Sequence, residues 1–150
     1  MDYLAYCKLM TGFGSFEEAV SLEQQALRLS PRDPYIRQFF YGRIGLFCLQ
    51  QGRIDEAIGW LEKARSGRPS YAGYHAYLAS AYALKGELDR ASAELSEAER
   101  LAPDGRYSSI ARVKAAGTVG GPGYWGVPKV AALFEATYLA GLRKAGMPEE

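Results

Sequence analysis

The chain has 150 residues and a mass of 16.5 kDa; 48% of its residues are hydrophobic and 23% charged, the composition of one globular domain rather than of a disordered tail. With 18 Lys and Arg against 17 Asp and Glu, the net charge of +1 leaves no basic excess for a general electrostatic hold on nucleic acid or anionic lipid. No apolar run approaches the ~18 residues that span a bilayer, and Met1-Asp2-Tyr3-Leu4-Ala5 lacks the basic and apolar regions of a signal peptide, so a cytoplasmic protein with no nucleic-acid or membrane partner is expected.

In chain order, three segments carry one pattern. The first is loose: Tyr3, Tyr6, Cys7 and Met10, then Gly14, Ala19, Ala26 and Pro31, with Glu23 where an apolar residue is expected. The second runs Tyr41, Ile44, Gly45 and Cys48, then Gly52, Ala57, Leu61, Ala64 and Pro69. The third runs His75, Leu78, Ala79 and Tyr82, then Gly86, Ala91, Leu95, Ala98 and Pro103. Gly52 to Gly86 and Pro69 to Pro103 are both steps of 34 residues; Gly14 to Gly52 and Pro31 to Pro69 are both 38, with the four extra residues fitting a longer connection around Ser30–Pro34. Each copy predicts two antiparallel helices. Glycine ends the first helix, where positive φ costs it little. Carboxylates at Asp55, Glu56 and Asp89 open the second, and Pro69 and Pro103 stop it. Ile54, Ala57, Ile58, Leu61 and Ala64 share one face, as do Leu88, Ala91, Leu95 and Ala98.

This spacing resembles the tetratricopeptide repeat, or TPR, whose pattern is W-x2-L-G-x2-Y, then A-x3-F, then P at a 34-residue period. The resemblance implies an all-α, right-handed TPR superhelix of about three helical hairpins (residues 1–34, 38–71 and 72–105) followed by C-terminal capping helices in a 106–150 extension. The first copy starts almost at residue 1 with nothing to shield it. We therefore expect that the chain is cut from something longer, or that this face meets another surface.

Beyond Pro103 the pattern changes. Arg106–Ala116 reads as a helix with Tyr107, Ile110 and Val113 on one face, and residues 117–126 are a glycine-rich loop carrying Tyr124 and Trp125. Pro128 then opens a helix to about Lys144 with an apolar stripe at Val130, Leu133, Phe134, Thr137 and Tyr138. The ending Gly141-Leu142-Arg143-Lys144-Ala145-Gly146-Met147-Pro148-Glu149-Glu150, placed after TPR-like repeats, is similar to the C-terminal region of bacterial, rhizobial-type class III adenylate/guanylate cyclases. The resemblance implies a regulatory region in signal transduction, without the cyclase domain itself.

No residue pattern supports chemistry. Cys7 and Cys48 read as small buried residues, and one histidine, His75, excludes a His-pair metal site and reads as structural. The glycines around Gly120-Gly121-Pro122-Gly123 lack the Gly-Lys-Ser/Thr of a phosphate loop. The pairs Asp55-Glu56 and Glu94/Glu97 read as solvated helix faces. No catalytic residue, metal or cofactor is expected.

The remaining site is the groove that first helices line in this family, and a protein or peptide partner is expected there. Its residues are Phe39, Arg43, Leu46 and Gln50, then Tyr77, Ser80 and Leu84; these positions would equally serve as packing under the C-terminal helix. Chaperone-tail carboxylate clamping is not expected, because Gly73 and Tyr77 stand where basic residues would be needed. The tail residues Leu133, Phe134 and Tyr138 are expected to dock in that groove or cap the last repeat, with homo-oligomerisation as the alternative. The expected function is a non-catalytic scaffold; a small-molecule or nucleotide site at the Trp125 loop and a stand-alone adaptor are the alternatives.

Overall fold

The computed structural model describes residues 15–29, 32–116 and 128–150. The segment expected to form the first helix of the first repeat, including Tyr3, Tyr6, Cys7, Met10 and Gly14, lies outside them, as do Pro31 and the glycine-rich segment with Tyr124 and Trp125; the side chains of Ala19 and Val130 are also outside. All the regular elements among the described residues are helical: α1 Phe16–Leu29, α2 Pro34–Gln50, α3 Ile54–Gly67, α4 Ala72–Lys85, α5 Leu88–Leu101, α6 Ile110–Ala116, α7 Pro128–Phe134, a π-helical turn Glu135–Leu139, and α8 Ala140–Lys144.

Local chemistry sets the helix ends. Ser15 and Glu18 form a reciprocal capping box before α1: the Glu18 amide donates to Ser15 Oγ (3.1 Å) and the Ser15 amide to Glu18 Oε2 (3.2 Å). Asp33 caps α2 by accepting from the amides of Tyr35 (2.9 Å) and Ile36 (3.2 Å), with Pro34 in the first turn. Gly52, Gly86 and Gly146, at φ 73°, 94° and 107°, each follow a helix in the left-handed region. Each is bracketed by the same two bonds, in the second case Gly86 N to Ala83 O (3.1 Å) and Glu87 N to Tyr82 O (2.8 Å). This is the Schellman closure, in which any side chain at the glycine would be strained.

Helices α2 and α3 pair as one hairpin, α4 and α5 as the next, and α3 packs on α4. The core is continuous across them: Ile44, Phe47, Leu61, Leu78, Tyr82, Ala57, Ala91 and Leu95 are all buried. Helices α3 and α5 bury only one stripe, Ala57, Ile58, Leu61 and Ala64 in one and Ala91, Leu95 and Ala98 in the other. In contrast, α4 is buried continuously from Gly73 to Ala83. A helix enclosed on every side needs neighbours on every side, and the C-terminal segment supplies the last: α8 and the π-helical turn both pack against α4, and the turn also reaches α2.

Two expected boundaries differ. The helix expected from Arg106 begins at Ile110. Asp104 holds the Arg106 amide (3.2 Å), Gly105 takes φ 69°, and Ser109 caps the helix by accepting from the Arg112 amide (3.2 Å). The next two amides, of Ile110 and Ala111, donate to the carbonyls of Pro148 (2.8 Å) and Glu149 (3.0 Å), so the end of the chain completes the cap. The tail helix, expected to be uniform, is interrupted by its π-helical turn.

Candidate functional site

The seven expected groove residues fall into two groups. On α2, Arg43 is buried and pairs with the fully buried Glu23 of α1 at 2.8 Å, its guanidinium 5.3 Å from the Phe39 ring centre and 5.9 Å from that of Phe47. Glu23, an anomaly in an apolar position, is thus one half of a buried ion pair. Phe39 remains 42% exposed, while Leu46 and Gln50 are buried. The Gln50 side-chain amide is enclosed and has no hydrogen-bond partner among the described residues. On α4, Tyr77 and Ser80 are buried and Leu84 is partly buried.

Tyr77 and Ser80 are buried beneath the chain's own tail. The Ser80 hydroxyl donates to the Tyr138 carbonyl at 2.8 Å, and the Tyr77 and Tyr138 rings meet edge to face at 5.1 Å. Phe134 lies edge-on to Tyr138 at 6.2 Å. Of the three expected docking residues, Phe134 and Tyr138 are buried and Leu133 is half-buried. Leu139, Gly141, Leu142 and Met147, outside that expected set, are buried too. The π-helical turn explains this: an extra residue per turn rotates the following face, bringing Leu139 and Leu142 inward where a uniform helix would continue through Thr137. Thr137 instead donates to the Leu133 carbonyl at 2.7 Å.

Gly141 fixes the register. A Cβ there would stand 2.6 Å from the Ser80 carbonyl oxygen and 2.8 Å from its Cα, so the backbones of α8 and α4 touch only because both residues are small. The tail's outer side is held by charge. Arg143 bonds Glu135 at 2.8 Å and also reaches Glu149, and Lys114 of α6 pairs with Glu135. Arg143, and secondarily Lys114, hold the Glu135 carboxyl below the usual carboxylate range. Burial pushes the Tyr138 phenol well above its ordinary value, so it stays neutral.

Elsewhere, Glu94 departs from the solvated face expected of it. It is largely buried, accepts from His75 Nδ1 at 2.7 Å and pairs with Arg65. His75 Nε2 faces the Pro69 carbonyl at 2.7 Å. Both partners are acceptors, so both ring nitrogens donate and the imidazolium is the form that fits; the bond to Glu94 is the leading cause of its raised pKa. Cys48 is buried, and desolvation pushes its thiol up to about 11, making it an inert core residue. No helix among the described residues is long and apolar enough to cross a membrane.

Helical hairpins of this kind, stacked with a glycine-closed turn inside each, match the tetratricopeptide repeat family over residues 49–116. The fold is a tetratricopeptide-repeat solenoid. A solved structure described as the MamA RS-1 ArsTM double mutant aligns over 91% of this chain and 68% of its own with a TM-score of 0.55; at 19% identity this speaks for the TPR fold alone. The TPR repeat-containing thioredoxin TTL4 of Arabidopsis thaliana is 35% identical over 82 residues, 55% of this chain. The match spans only 11% of that protein's length.

Proposed function

We propose that this TPR chain is a non-catalytic protein-interaction module whose groove on α2 and α4 receives a helical segment of a protein partner. The observation that supports this reading is the tail itself, a helical segment with buried Phe134, Tyr138 and Leu142 whose Tyr138 meets Tyr77 and Ser80. The partner helix would bring aromatic residues four apart and a small residue where it crosses Ser80. Exposed Phe39 extends the surface along α2. The module fits the regulatory C-terminal region of a class III cyclase-like signalling protein, on the similarity of the Gly141–Glu150 ending.

A labelled peptide of residues 128–150, titrated into the full chain carrying Gly141→Leu, tests the groove. That substitution dislodges the chain's own tail. Saturable binding, much weaker for the unsubstituted chain whose groove is filled, is the expected result; a folded Gly141→Leu protein that ignores the peptide refutes the reading. The purified chain should make no cyclic nucleotide from ATP or GTP.

A further inference from the structure

We propose that the groove exchanges its occupant between molecules, so that residues 128–150 of one copy dock on α2, α4 and α6 of a second copy in the register they hold within their own chain. This rests on the groove reading above and names its partner as a second copy.

The contacts divide cleanly along the chain. Among the described residues, the tail's principal partners lie before residue 117: Tyr77 and Ser80 on α4, the face of α2 that meets the π-helical turn, and Lys114, Ile110 and Ala111 on α6. Everything that docks lies after residue 127. The connection between Ala116 and Pro128 is eleven residues long, five of them glycine, and an extended chain of that length reaches at most ~36–40 Å. The surface lost when a tail leaves its own groove is therefore the same surface regained in another copy's groove. Within one chain the tail competes at the high effective concentration of a tethered ligand, so the unsubstituted protein is mainly closed and exchange emerges when that competition is removed.

The closeness of Gly141 to Ser80 allows a complementation experiment with full-length chains. Gly141→Leu keeps a sound groove and spoils its tail. Ser80→Leu spoils the groove and keeps a sound tail. Each should sediment alone as a monomer, while an equimolar mixture should form a one-to-one pair at a concentration roughly 100-fold below that at which the unsubstituted protein associates. A mixture that sediments as the sum of two monomers, with both chains folded by circular dichroism, overturns the proposal. Should Ser80→Leu fail to fold, Tyr77→Ala serves as the groove-defective chain under the same criteria. The labelled 128–150 peptide, run in parallel against Gly141→Leu, separates the two claims. Peptide binding without pairing overturns the exchange and leaves the groove reading standing; absence of both overturns both.

Discussion

Arg43 ties α1 to α2 through Glu23, with both side chains almost wholly out of water. Removing one partner of such a pair strands the other as an uncompensated buried charge, which costs ~3–5 kcal/mol. Arg43→Ala should therefore lower unfolding stability by about that amount in urea, and an effect below ~1 kcal/mol would show that the pair is solvated. Neither residue declared this role in the sequence: Glu23 looked like a break in the first repeat and Arg43 like a groove cation, and only their approach in space joins the two irregularities. His75 was legible as structural, but not its charge, because Glu94 is 19 residues away and is brought to it by the α4–α5 hairpin. Its folded pKa is raised above 6.5, chiefly by the Glu94 bond. Its contribution to stability is thus fully present below the unfolded value and lost as pH rises through the raised folded value. The groups facing it are Glu94, Glu97 and, through Glu94, Arg65. The stability difference between the native chain and His75→Gln should shrink between pH 6 and pH 9 in denaturant melts; a difference independent of pH would contradict the imidazolium assignment.

At the scale of elements, the hairpins were legible because one 34-residue period places small residues, glycine turns and terminating prolines at matching positions in successive copies. Ala57 and Ala91 are both wholly buried where α3 and α5 meet their neighbours. Ala91→Leu should destabilise by ~1–3 kcal/mol through overpacking, whereas Glu99→Leu on the exposed side of the same helix should change little. Equal effects from the two would contradict the close packing of α5. The C-terminal elements were less legible. The start of α6 depends on carbonyls of Pro148 and Glu149, almost forty residues further along the chain, and the π-helical turn has no periodic signature of its own. One signal was available: Phe134, Tyr138 and Leu142 recur at intervals of four, and Gly141 sits beside the last of them. Another was α4, whose Ala72–Lys85 sequence is apolar nearly all round and so called for cover on its groove side as well as on its core side.

In the whole molecule, a tail packs on the face of α4 and α2 that a solenoid of paired helices presents. The central claim is that the tail is an occupant which leaves while the solenoid stays folded. Native-state amide hydrogen exchange on the full chain, followed through low concentrations of denaturant, measures this directly. Amides of Leu139–Leu142 should exchange through a partial opening several-fold to many-fold more often than those of Leu78–Tyr82 in α4, and Gly141→Leu should abolish protection in the tail while leaving α3 and α5 protected. If the tail and α4 amides exchange at one common rate set by global unfolding, the tail is an integral part of the core and the account is wrong.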